Sequence, residues 1–314
     1  MIKIEHVNLQ SFYNLILKTI SLVAAWFIVA IFIGMFFQLV KGSIPAFHAF
    51  GFSFLFSSEW NPVTQQFGAL TSIIGTLSTS FIALLIATPF SFGIVIFILK
   101  MLPLRVQTFL RTAIDLLAGI PSIIYGMWGL FGLAPFIGNH FQPWLMHIFS
   151  NNPYALEFID GVPFGIGIFT AGIVMGLMVI PFIASVIYDV FEIVPPLLEE
   201  SSYALGATTW ETLWYVVFPY CRLGFIGGIM LGLGRALGET MAVSFVIGNA
   251  HTITTSLFSP SNSITSSLAN EFNETTYQLY SSVLIEMALC LFIITSLVVF
   301  LSHMMINKLT DRYK

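Results

Sequence analysis

The sequence predicts an all-α membrane protein with six transmembrane helices, and three observations predict it. Only 8% of its 314 residues are charged and 57% are hydrophobic, whereas a soluble domain carries roughly a quarter charged residues. The apolar residues come in runs of about 20 or more, long enough to cross ~30 Å of hydrocarbon as helices. These runs do not alternate with polar residues as the short strands of a membrane barrel must. Helices are then the remaining way to satisfy the backbone in lipid.

The spans fall at about 16–40, 70–99, 112–138, 164–188, 222–248 and 281–306. The first follows Lys3 and Lys18 but is longer than a secretory apolar region of ~7–15 residues and has no small-x-small cleavage site, so it reads as a retained helix. Pro89, Pro121 and Pro181 lie in or at the ends of spans, where they kink the backbone. Ser72, Thr76, Thr79 and Ser80 share one face of the second span and either line a polar path or bond helix to helix. No connection is long enough to hide a soluble domain, so residues 1–314 form one transmembrane domain. Cys221 and Cys290 sit at the start of one apolar segment and inside another, a spacing that suits small apolar fillers rather than a disulfide or a metal.

Nine of the eleven basic residues fall on one side. They are Lys3 and Lys18, then Lys100, Arg105 and Arg111, then Arg222, then Lys308, Arg312 and Lys314. Lys41 is on the other side and Arg235 is inside a span. The positive-inside rule puts both termini in the cytoplasm and requires an even number of spans. The outer connections carry Glu59, Glu157, Asp160, Glu271 and Glu274, and residues 249–280 read as a polar extracytoplasmic loop with room for a short helix. No basic run suggests nucleic acid. Glu286 is expected to reach the outer interface, and Asp115 and Asp189 to be solvated or capping. The six histidines are scattered, and no nucleophile, metal or paired-carboxylate constellation suggests hydrolysis.

The fifth span carries the informative charges. Gly224, Gly228 and Gly232 repeat every four residues, which lets another helix approach closely. On a continuous helix Arg235 and Glu239 extend that glycine face, away from lipid. A charge at bilayer depth costs about 2.5–3.5 kcal/mol on the insertion scale, which something must offset. Two readings stand. Arg235 and Glu239 pair, being four residues apart, and fix packing. Alternatively, Arg235 offers a positive site to a passing anion, since its fork of donors matches two phosphate oxygens. Glu239 then orients it, and Thr240 adds a hydroxyl.

Residues 189–221 are too apolar for a free loop and too charged for a span. Pro195 and Pro196 start a helix that does not need their missing N–H groups, and Gly206 ends it. A second short helix follows from about Thr209 to Pro219, leaving Tyr203, Leu205 and Trp210 to dock a partner. Within this unit, Glu200-Ser201-Ser202, three residues, Gly206, nine residues and Val216-Val217-Phe218-Pro219 keep the spacing of the Glu-Ala-Ala–Gly motif of ABC importer permeases. The departures are Ser for Ala twice, Val for Ile and Phe for Leu. The segments Gly234-Arg-Ala-Leu-Gly-Glu-Thr-Met-Ala-Val243 and Asp115-Leu-Leu-Ala-Gly-Ile-Pro-Ser-Ile-Ile-Tyr-Gly126 narrow the match.

The chain thus resembles phosphate importer permeases of the PstC type over roughly residues 70–310. The resemblance implies a type I ABC importer permease core in the bacterial inner membrane. It implies that Glu200 to Gly206 seat in a cytoplasmic ATPase and that Arg235 and Glu239 serve transport. Its implied partners are a homologous PstA-like permease, two PstB-like ATPase subunits and an extracytoplasmic phosphate-binding protein. ATP and Mg belong to those ATPases. This chain has no Gly-x-x-x-x-Gly-Lys-[Ser/Thr] loop and is expected to bind no cofactor or metal. The PstA-type sister subunit has a similar Arg-x-x-Gly-Glu-Thr stretch; the Met-Ala-Val continuation favours PstC. A permease for another anion would keep the coupling loop, and an anion channel would not need it.

Overall fold

The computed structural model describes residues 2–311, with side chains from Asn14 to Lys308. The side chain of Lys3 and residues Arg312 and Lys314, which entered the charge count, lie outside the described residues, as does the side chain of His6. Helix α1 (Ile2–Phe50) leads to a short hairpin, β1 (Trp60–Asn61) paired with β2 (Gln66–Phe67). Then come α2 (Leu70–Met101), α3 (Leu104–Ala118), α4 (Ser122–Ile148), α5 (Pro153–Ile159) and α6 (Ile168–Glu192). Helices α7 (Pro196–Ala204), α8 (Thr209–Leu237), α9 (Met241–Val246), α10 (Ile264–Glu271) and α11 (Gln278–Asp311) complete the chain. Among the described residues five helices are long and apolar enough to cross a membrane, or six if the bent pair α3 and α4 makes one span.

Helix α6 is the axis of the core, with 67% of its most apolar window buried. Small residues bring its neighbours close. A Cβ on Gly172 would lie 2.5 Å from the Ile82 side chain of α2. Further along α6, Cβ atoms on Gly224 and Gly232 of α8 would lie 2.5 Å from Val190 and Ile183, and one on Gly228 would lie 3.2 Å from Val186. The four-residue glycine repeat therefore packs inside this chain, against α6. Helix α1 stands at the periphery, where Phe32 and Phe36 pack on Phe292 of α11 at ring distances of 4.7 and 5.8 Å.

Three segments differ from the sequence expectation. The span expected at 112–138 is broken, because α3 and α4 meet at 85° around Gly119, Ile120 and Pro121. Proline supplies no backbone donor and biases the residue before it toward extended backbone. The span expected at 222–248 instead begins at Thr209, runs through Pro219 and stops at Leu237. The polar stretch 249–280 does hold a short helix, α10, but it is not polar surface throughout: residues 252–255 are exposed, whereas Ser261 to Ser267 are buried. Thr76 Oγ1 of α2 accepts the Ile264 backbone N–H at 2.9 Å, and the Ser72 and Ser267 hydroxyls meet at 3.3 Å. The hydroxyl face of α2 thus seats α10. Gly75 completes the seat, since any Cβ there would overlap the carbonyl oxygen of Asn262.

Prolines also leave a signature within helices. π turns at Gly129–Leu133, Ile137–Phe141 and Leu213–Val217 each end two residues before a proline, at Pro135, Pro143 and Pro219. The wider i→i+5 register makes room where a proline ring would strike the carbonyl four residues back.

Candidate anion site and coupling surface

The fifth long helix breaks at Gly238, Glu239 and Thr240. Helix α8 closes with Gly238 N–H donating to Gly234 O at 3.3 Å and Glu239 N–H to Ala236 O at 3.2 Å. The carboxylate of Glu239 then turns to the next helix, where Oε1 accepts the Ala242 N–H at 3.1 Å. This satisfies one of the free donors at the start of α9, where a negative charge is also favoured. The Thr240 hydroxyl donates to Gly238 O at 3.4 Å, and Thr265 of α10 donates to Glu239 O at 2.7 Å. Gly126 of α4 closes the other side, since a Cβ there would lie 2.9 Å from Ala242 Cα.

Arg235 sits in the last turn of α8, half-buried. Its Nε is buried without a hydrogen-bond partner. Its guanidinium carbon lies 5.3 Å from the centroid of the Phe182 ring of α6, and the Tyr125 hydroxyl of α4 is within its electrostatic reach. Among the described residues no carboxylate pairs with it, unlike Lys100, which meets Glu199, and Arg111, which meets Asp189 and Glu192. The common helical face expected for Arg235 and Glu239 does not exist, because the helix ends between them. Gly228 and Gly232 share α8 with Arg235, and Glu239 and Thr240 lie in the break beyond it. Phe182 and Tyr125 escaped the sequence reading, although both lie beside residues it singled out, next to Pro181 and within the 115–126 segment.

The opposite end of the bundle holds the other predicted group. Glu200, Ser201 and Ser202 lie on α7. Gly206, at φ +87°, follows it in the left-handed conformation. Ala207 N–H donates to Ser202 O at 3.2 Å and Gly206 N–H to Tyr203 O at 2.9 Å, the paired bonds of a Schellman closure. Thr208 and Glu211 form a capping box that starts α8. Pro219 lies inside α8 rather than at the end of a separate short helix. Leu197, Leu205, Trp210 and Tyr215 stand 63–90% exposed. Lys100 of α2 anchors α7 through Glu199 at 2.5 Å. Arg111 of α3 joins Asp189 and Glu192 of α6, each at 2.8 Å, and stands over the Tyr188 ring. Asp189 is therefore paired, and Asp115 accepts a bond from Ser185 at 2.7 Å; neither is merely solvated or capping.

At the α10 end, Glu271 collects the donors. Trp60 Nε1 donates to Oε2 at 2.9 Å, the Tyr280 hydroxyl to Oε2 at 2.5 Å, and His251 Nε2 lies 2.7 Å from Oε1. Trp60 and His251 stack with centroids 4.3 Å apart. Burial alone would raise the Glu271 pKa, but the bonds from His251, Tyr280 and Trp60 outweigh it and hold the carboxyl below its ordinary range. One histidine of the scattered six thus has a structural partner that spacing did not announce. Glu286, expected to extend outward to the interface, is instead buried within α11 with Oε2 unpartnered.

Long apolar helices packed about one axis, with a broken span and an exposed helical hairpin at one end, define a multi-pass membrane protein. The chain belongs to the family of binding-protein-dependent transport system inner membrane components, which it matches over residues 93–313. It is 54% identical over 275 residues to the phosphate transport system permease protein PstC of Pasteurella multocida, covering 88% of this chain and 86% of that one. With the PstC protein of Haemophilus influenzae the identity is 49% over 300 residues, covering 96% and 95%. Among solved structures, an inward-facing form of the MetNI methionine ABC transporter shares the fold. Its TM-score is 0.51 at 17% identity, covering 77% of this chain and 94% of that one. The family match begins near the end of α2 and so leaves out α1 and most of α2.

Proposed function

We propose that this chain is a membrane-spanning subunit of an ATP-driven importer of inorganic phosphate, and that phosphate passes at Arg235. The observation that carries the reading is the guanidinium of Arg235, which has no counter-ion among the described residues in a chain whose relatives are named phosphate transport permeases. A fork of donors left unpaired suits an oxyanion, whose charge offsets the desolvation of the arginine. Glu239 is occupied by α9 and leaves that fork free. The site binds weakly by design of the cycle, since a tight site would hold the anion, and selection rests mainly with a phosphate-binding protein outside.

The chain lies in the bacterial inner membrane with both termini in the cytoplasm, and a homologous PstA-like permease completes the pathway. Two PstB-like ATPase subunits lie below the permease pair, and one of them docks on α7, where Glu200 to Gly206 match the coupling motif and Leu205 and Trp210 supply exposed apolar surface. The chain lacks an ATPase site of its own. ATP binding below is carried through α7 to α2 by the Lys100–Glu199 pair, and the bundle alternates its access.

Competition tests the substrate. The whole transporter, in cells without their own high-affinity phosphate importer, should take up labelled phosphate, and excess unlabelled sulfate should leave that uptake unchanged. No phosphate uptake by a complete, membrane-inserted assembly overturns the reading and leaves a permease for another ligand.

A further inference from the structure

Resting on that reading, we infer that Phe182 is a positioning residue for transport, because its ring holds the Arg235 guanidinium in place for the passing anion. Three observations carry this. The guanidinium carbon stands 5.3 Å from the ring centroid, within the ~6 Å over which a ring face attracts a cation. No carboxylate or hydrogen bond fixes the guanidinium among the described residues, and its Nε is buried without a partner. The two residues sit on α6 and α8, whose backbones are drawn together by Gly228 and Gly232 against Val186 and Ile183. The ring is thus set by a closely packed helix pair, and the arginine by the ring.

A ring suits this task better than a carboxylate. A carboxylate would neutralise the arginine and occupy the donors that phosphate needs. The ring attracts the cation through its quadrupole and accepts no conventional hydrogen bond, so the donors stay available to the anion. Phe182 also lies directly after Pro181, where α6 cannot form its regular backbone bond. A movement of α6 at that point would shift the ring and carry the guanidinium with it.

The test replaces Phe182 in the complete transporter with mono-, di- and trifluorophenylalanine, which drain the ring face of negative charge at nearly constant shape. Phosphate uptake at saturating external phosphate should fall stepwise with fluorine number, reaching a loss of about two- to thirty-fold. Phe182→Tyr should retain most activity, and Phe182→Leu should resemble the trifluoro variant. A flat fluorine series at wild-type rate overturns the inference, and so does a flat series beside an inactive Phe182→Leu, which would mean the ring matters only as bulk. A second measurement does not depend on phosphate transport. In arginine-labelled transporter, the guanidinium resonance assigned by its loss in Arg235→Lys should be shifted by the ring current and move in Phe182→Leu. No movement overturns the inference even if the substrate is another anion; movement without any phosphate uptake keeps the pairing and overturns the substrate.

Discussion

Glu239 caps the helix that follows it: its Oε1 accepts the Ala242 N–H at 3.1 Å, and it does not pair with Arg235, four residues earlier. A salt bridge and a cap predict different double-mutant behaviour. Arg235→Gln and Glu239→Gln should have additive effects on the thermal stability of the assembled transporter, with a coupling below about 0.5 kcal/mol. Glu239→Ala should cost about 0.5–2 kcal/mol by leaving the α9 donor without its acceptor. A coupling of about 1 kcal/mol or more between positions 235 and 239 would restore the ion-pair reading.

Gly206 tests the coupling unit. Its φ of +87° leads to open space, with nothing within 4 Å of a built Cβ, so backbone conformation alone restricts the position. Gly206→Val should destabilise the α7 closure by about 1–2 kcal/mol and lower phosphate-stimulated ATP hydrolysis. Gly206→Asn, which tolerates the left-handed region, should keep most of it. Equal activity in both variants would separate the turn from coupling.

Gly75 tests the seat of α10. A methyl group there meets the Asn262 backbone, which cannot rotate away as a side chain could. Gly75→Ala should destabilise by about 1–3 kcal/mol or more, as overpacking does. It should also speed hydrogen exchange in residues 261–267. Unchanged exchange would show that α10 is held by other contacts.

Glu271 gives the pH dependence. Its pKa in the folded chain is depressed, so the stability it contributes is present above the unfolded carboxyl pKa of about 4.3 and is lost as pH falls through the lower folded value. Near neutral pH, Glu271→Gln should cost about 1–3 kcal/mol, the scale of losing a charged hydrogen-bond acceptor. The gap to wild type should close below about pH 4. A gap that persists unchanged into acid would mean that the charge of Glu271 contributes nothing to holding Trp60 and Tyr280.

The long apolar helices, the glycine repeat and the Gly206 turn were legible because each rests on local chemistry: run length, four-residue spacing and a residue suited to positive φ. The break after Leu237 was not, since Gly238, Glu239 and Thr240 interrupt an apolar pattern that resumes at once with Met241-Ala-Val, and the contacts from Thr265 and Gly126 that hold the chain there come from distant segments. Residues 261–267 misled for a different reason. A run of Ser, Asn and Thr reads as a polar loop, but these groups are buried where α2 offers matching hydroxyls, a pairing between segments almost 200 residues apart. Pro121, read as a kink, marks the α3–α4 bend, whereas Pro135, Pro143 and Pro219 carried more than was read from them, since each follows a π turn.

The most direct test of the central claim is radiolabelled phosphate uptake by the complete transporter carrying Arg235→Gln, at an inserted level equal to wild type, in cells lacking their own high-affinity importer. The unpaired guanidinium as the anion site predicts uptake at background while ATPase subunits still copurify. Uptake near the wild-type rate would contradict it and leave Arg235 as a packing residue held by Phe182.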